Sequence, residues 1–389
     1  MIEIENLIEV LEKFEKGTLE NYESQLKHLE TKDIMLYGAG NIGKKLYSTL
    51  NESCINVKCF LDKNQKINLT NYKIPVYYPE DEVLNSLKEN GYVILSALFS
   101  KNVCKEIKSY LMNLGFKNVY ALHEINFSAI NKGEFYENLY NGRQSKIDIN
   151  GEDKDKIMQA FSLLENEDDE DLYINYVKAH LTMDFTRFNE PNDVSLQYLA
   201  HDIPIKVDYS NFIDCGGFDG DTVRNLIHNK IKINNLAIFE PQNDLCEKIY
   251  DYTKQNNQNF ETVTILPCGV GSKFEKLKLS TSSDSPSTAK VSESGNDIIQ
   301  CVAIDEVLQG FKPTFIKMDI EGAETEALKG AKNTIVENHP QLAICVYHSL
   351  SDIWEIPLLI KSFYSGYKFY LRSYNYMGLE TVLYAFPDK

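Results

Sequence analysis

The chain has 389 residues, 43% hydrophobic and 25% charged, which is enough for two domains and excludes wholesale disorder or a collagen-like repeat. With 57 acidic against 40 basic residues the formal net charge is −17, which disfavours non-specific binding to nucleic acid or anionic membranes. No apolar run reaches the ~18–20 residues of a membrane span, the acidic start lacks a basic n-region, and the eight cysteines show no CxxC pair or zinc-finger spacing, so a cytoplasmic protein with free thiols is expected.

Ile4, Leu7, Ile8, Leu11 and Phe14 fall at helical spacing and predict an amphipathic helix in a first segment, residues 1–30. Residues 31–125 alternate strand and helix. DIMLYGAGNIGKKLYSTL is followed by VKCFLD (57–62), YVILSAL (92–98), a helix through Leu114 and KNVYAL (117–122). That alternation predicts a small Rossmann-like domain of about four parallel strands. Residues 126–210 are polar and helical in pattern and read as a connector, with the acidic run ENEDDED (165–171) as a solvated face or loop. From Asn211 the alternation resumes to residue 389. NFIDCGGFDGDTVRNLI, LAIFEP (236–241) and VTILPCGVG (263–271) come first, then two extended arms around a Ser/Thr-rich loop (280–296). TFIKMDIEG (314–322), QLAICVYH (341–348), YKFYLRSY and ETVLYAF complete a doubly wound α/β sheet of about seven strands over 211–389.

Two glycine turns carry the chemistry. Gly38, Gly40 and Gly43 form a complete GxGxxG between strand and helix, and Asp62 ends the next strand where an acid can take ribose hydroxyls. This pattern fits a nucleotide, a nucleotide-sugar or NAD, and equally the close packing any βα turn needs. The second turn runs Asp214, Cys215, Gly216, Gly217, Phe218, Asp219, Gly220, Asp221, Thr222. Asp219 and Asp221 stand where a pyrophosphate would lie and would repel it. A cationic ligand without phosphate suits the turn better. S-adenosylmethionine is such a ligand, with Asp214 facing its ammonium and Glu240, 20 residues after Gly220, accepting its ribose hydroxyls.

From about Asn211 to the end the sequence resembles the FkbM-like family of S-adenosylmethionine-dependent methyltransferases. FIDCGGFDGDT, IFEP (238–241), FIKMDIEGAETEALKGA (315–331), CVYH with SLSDIWEIP (345–357) and GLETVLYAFP (378–387) resemble its blocks in order, and QYLAHD (197–202) resembles the helix before the first strand of long members. The first domain resembles small Rossmann-like units of sugar-modifying enzymes. The resemblance implies a seven-stranded class I methyltransferase sheet. It also implies cofactor contacts at Asp214, Gly216, Gly217, Gly220, Asp221, Thr222, Glu240, Pro241 and Gly269, and a hydroxyl acceptor on a sugar of a glycan or its precursor.

Asp319 and Glu321 end one strand and His348 the next, so all three are expected at the ligand edge of the sheet. Methyl transfer to an alcohol releases a proton. His348 is therefore the first candidate for a general base and Asp319 the second. A divalent metal on Asp319, Glu321 and His348 would serve the same end by acidifying the hydroxyl. The rival reading places the function in a nucleotide-sugar- or NAD-binding module at 31–125 with a non-catalytic C-terminal scaffold.

Overall fold

A computed structural model describes residues 2–16, 29–64, 74–126, 151–282, 285–291 and 297–388. The chain divides into two compact units, and the division departs from the contiguous domains expected. Unit 1 comprises Met1–Asn150, Asp171–Val194 and Ser373–Leu379; unit 2 comprises Gly151–Glu170, Ser195–Arg372 and Glu380–Lys389. Short return segments carry each unit to completion, which a linear reading of composition does not register.

Unit 1 is built on five parallel strands, one more than expected, in the order β3-β2-β1-β4-β5. They are β1 (Ile34–Tyr37), β2 (Val57–Leu61), the two-residue β3 (Val76–Tyr77), β4 (Tyr92–Leu95) and β5 (Asn118–Ala121). The central strands are apolar along their length because helices cover both faces of a parallel sheet. Ile34, Met35, Leu36, Val93, Ile94 and Leu95 are fully buried. The helix Ile2–Glu15 buries Leu7, Val10 and Leu11, whereas Ile8 of the predicted stripe is exposed.

Unit 2 is built on seven strands in the order β15-β16-β14-β13-β6-β7-β8. These are β6 (Asn211–Cys215), β7 (Asn235–Phe239), β8 (Thr262–Leu266), β13 (Phe315–Met318), β14 (Gln341–Cys345), β15 (Tyr367–Ser373) and β16 (Thr381–Pro387). From β8 to β14 neighbouring strands are parallel, and β16 runs antiparallel to β14. The loop predicted at 280–296 is in part a strand. β9 (Gly269–Val270), β10 (Glu275–Ser282), β11 (Ser285–Val291) and β12 (Asp297–Val302) form a separate four-stranded sheet. QYLAHD is not helical: a short 3-10 turn, Val194–Leu196, precedes it, and Tyr198 and Ala200 take positive φ.

The acidic run 165–171 is not simply solvated. Asp169 is fully buried, where it accepts hydrogen bonds from Asn166 Nδ2 (2.7 Å), the Leu371 N–H (3.2 Å) and the Arg372 guanidinium. Burial pushes its carboxyl up to about 6 against the pull of Arg372.

Candidate active site

In unit 1 the first glycine turn follows β1 and starts the helix Asn41–Glu52. A side chain at Gly43 would put its Cβ 2.0 Å from Gly38 O, so the helix start lies against the turn as close as backbone permits. Ser96 Oγ donates to Gly38 O at 2.8 Å. Asp62 accepts the Ala39 N–H on Oδ2 and the Asn64 N–H on Oδ1, both at 2.8 Å. The carboxylate predicted to take a ribose thus stands at the strand end with a backbone N–H on each oxygen.

In unit 2 the second glycine turn connects β6 to the helix Asp221–His228. Gly216 has φ +82°, and a Cβ there would lie 2.0 Å from Asp319 O, so the turn rests on the end of β13. Glu240, 5% exposed at the end of β7, spans the turn: Oε2 accepts the Phe218 N–H and Oε1 the Gln242 N–H, each at 2.9 Å. Burial pushes its carboxyl up to about 7, although these two N–H donors pull it down.

Two of the acids behave differently from expectation. Asp214 does not lie open to a cationic ligand. It stands in register with Lys317 on the adjacent strand, both side chains are buried, and Lys317 Nζ is 3.0 Å from Asp214 Oδ1 and 2.6 Å from Gly216 O. Burial pushes the Asp214 carboxyl up to about 6 despite Lys317, while Asp214, Asp319 and Asp221 hold the ammonium above its usual value against burial. Asp219 is paired with Arg224, which also donates to Asp219 O at 2.6 Å, so the charge at the turn that would repel a phosphate is carried by Asp221. Asp221 and the buried Thr222 open the helix, with the Thr222 N–H on Asp221 Oδ1 at 2.8 Å. Gly217 donates with Gly216 to Phe239 O. Gly220 caps the helix, and Pro241 follows Glu240 half-buried. Gly269 lies in β9, paired with Cys301 of β12, and so belongs to the four-stranded sheet.

Asp319, Glu321 and His348 do come together, because parallel strands bring their carboxyl ends to one edge. His348 Nε2 lies 3.5 Å from Asp319 Oδ1 and 3.8 Å from Glu321 Oε2. A third acid, Glu324, places Oε1 2.9 Å from His348 Nδ1 and accepts the Ile320 N–H at the same distance. Burial pushes the imidazole down, but Glu324, then Asp319 and Glu321, outweigh it and raise His348 to about 9. This direction favours the protonated imidazole and weighs against the general-base role expected for His348. For Asp319, burial is outweighed by Lys317 and His348, and its carboxyl stays below the usual value.

Four further residues complete the site. Tyr198 OH donates to Asp319 Oδ2 at 3.1 Å, and Tyr347 OH bridges Asp319 Oδ1 (3.4 Å) and Glu380 Oε1 (3.3 Å). Gln197 Nε2 donates to Glu380 Oε2 at 3.0 Å. Burial, then the charge of Asp319, push the Glu380 carboxyl up to about 7. Tyr198, Phe218, Glu321 and Glu380 all have positive φ, of 66°, 47°, 59° and 54°. Such conformations cost of order 1–3 kcal/mol each for a side-chain-bearing residue and tend to collect where function requires a fixed geometry.

The description "Methyltransferase FkbM domain" fits residues 214–376, which match the model of that family. The crystal structure of a methyltransferase FkbM from Methylobacillus flagellatus superposes with a TM-score of 0.66 at 18% identity, covering 98% of each chain, which establishes a shared fold. No curated protein matches the sequence. Among the described residues no helix is long and apolar enough to cross a membrane. Residues 214–376 therefore form a methyltransferase domain of the FkbM family.

Proposed function

We propose that the protein transfers a methyl group from S-adenosylmethionine to a hydroxyl of a sugar, in a glycan or its precursor. The observation that carries this reading is Glu240, a buried strand-end carboxylate at the glycine turn with backbone N–H donors on both oxygens. An ionised carboxylate so held is oriented to accept two ribose hydroxyls. Asp221 and Asp319 leave the neighbourhood of the buried Lys317 anionic on balance, which favours a sulfonium over a pyrophosphate.

In the reaction the acceptor oxygen attacks the methyl carbon in line with the S–C bond. That bond's electron pair returns to sulfur, the cofactor leaves as a neutral thioether, and the hydroxyl proton must go to a base. Glu380 supplies one: its carboxyl near 7 is matched to accept a proton at neutral pH, and Tyr347 and Gln197 fix both of its oxygens.

Calorimetric titration of the full chain with S-adenosylhomocysteine, NAD and sugar nucleotides tests the cofactor. The homocysteine ligand should bind and NAD should not; the reverse result would return the function to the glycine turn of unit 1. Incubation with methyl-labelled cofactor and a panel of nucleotide sugars and oligosaccharides tests the acceptor. Label found on amines rather than on sugar hydroxyls would refute that part alone.

A further inference from the structure

His348 is 1% exposed; its Nδ1 faces Glu324 Oε1 at 2.9 Å outside hydrogen-bond geometry, its Nε2 makes no hydrogen bond, and Glu324, equally buried, leaves Oε2 without a hydrogen-bond partner. Buried polar atoms without partners are rare in folded proteins, and a bound ion is one of their few explanations. Here such atoms converge. Asp319, Glu324 and His348 each offer one ligand atom, and these lie within 4.8 Å of one another. Glu321 Oε2 stands 3.8 Å from Nε2 beside them.

We propose that Asp319, Glu324 and His348 hold a divalent cation on the acceptor side of the methyl-transfer site. Glu324 thus takes the place that the linear sequence suggested for Glu321, whose Oε2 lies 3.8 Å from His348 Nε2. Two carboxylates with one imidazole and no thiolate make an oxygen-rich set that suits a manganese-type ion better than a soft metal. Three protein ligands leave coordination positions for water or a substrate oxygen. The backbone already prepares the set, because the Ile320 N–H fixes the Glu324 carboxylate at 2.9 Å. Such outer hydrogen bonds orient metal ligands.

The proposed role rests on the methyl-transfer reading above. A hydroxyl bound to the cation is acidified. Its proton passes to Glu380, its oxygen lone pair forms the new C–O bond, and the S–C pair returns to sulfur. The carboxylates of the cluster then serve the cation and are not themselves bases.

The test uses the full chain, stripped with a chelator and titrated with Mn²⁺ alone while free Mn²⁺ is followed by electron paramagnetic resonance. One ion per chain is expected to bind clearly tighter than the weak binding of surface acids. His348→Gln and Glu324→Gln should each weaken it at least about tenfold. Pulsed spectra of the wild-type complex should show coupling to one imidazole nitrogen, a readout that stands even where a variant does not fold. Weak, multiple binding without nitrogen coupling would overturn the site and leave His348 as an imidazolium among carboxylates. Affinity for S-adenosylhomocysteine, measured alongside, reads the methyl-transfer proposal separately. If that ligand fails to bind, the reaction assignment falls whatever Mn²⁺ does.

Discussion

Lys317 and Asp214 face each other across the two central strands of unit 2, 3.0 Å apart and buried, with the lysine also holding Gly216 O at 2.6 Å. The ammonium thus joins the strand end to the glycine turn. Lys317→Met should cost about 3–5 kcal/mol, because it strands a buried carboxylate. Adding Asp214→Asn should recover part of that loss, and a thermal-unfolding double-mutant cycle measures it. Equal stability of wild type and Lys317→Met would mean the pair contributes nothing.

Glu240 links cofactor affinity to pH. Its carboxyl sits near 7 and must be ionised to accept ribose hydroxyls. Below 7 the proton must first be removed, so binding of S-adenosylhomocysteine should weaken by roughly tenfold between pH 8 and pH 6, one decade per unit below the pKa. Glu240→Gln should bind more weakly at pH 8 and lose this dependence. Calorimetry at both pH values checks it, and a dissociation constant independent of pH in wild type would contradict it.

Glu380→Gln should separate chemistry from binding. Affinity for S-adenosylhomocysteine should stay within about twofold while single-turnover methyl transfer falls by about 10²–10⁴-fold, the usual contribution of a positioned base. The variant should also lose the rise of the wild-type rate with pH through about 7, the value to which burial and Asp319 bring the carboxyl. A rate within a few-fold of wild type would remove Glu380 from the proton's path.

Asp169→Ala should destabilise the chain by about 3 kcal/mol, since it leaves the Arg372 guanidinium, 12% exposed, without its buried partner. Asp202, on the exposed side of the same guanidinium, retains part of the pairing. Chemical denaturation reads the difference, and Asp168→Ala, at an exposed neighbour, serves as the control with little effect.

Much of the site is legible in the sequence because its parts are local. Strand, glycine turn and helix follow one another between Asn211 and His228, Asp319 directly follows β13, and His348 lies just beyond the end of β14. In a parallel sheet those ends must meet at one edge. Three other participants are hidden for separate physical reasons. Glu324 looks like an ordinary acid in the first turn of a helix, and only the fold of that turn brings it 2.9 Å from His348. Glu380 precedes β16, and it reaches the ligand edge only because β16 runs antiparallel to β14 and so begins where the others end. Tyr198 belongs to no regular element, so periodicity says nothing of where its hydroxyl goes. Lys317 gave a signal, a charge inside the apolar strand FIKM, but its meaning required the register that sets it opposite Asp214. The sequence by itself determined most of the segments that become strands, turns and helices, because propensity and periodicity act over a few residues, but not β3, β11 or the irregular stretch 197–202. The tertiary structure alone decided strand order, direction and register. These depend on contacts between residues distant in the chain, from Asn211 with Asn235 to Phe212 with Phe315, and with them the partners and charge states of the buried acids.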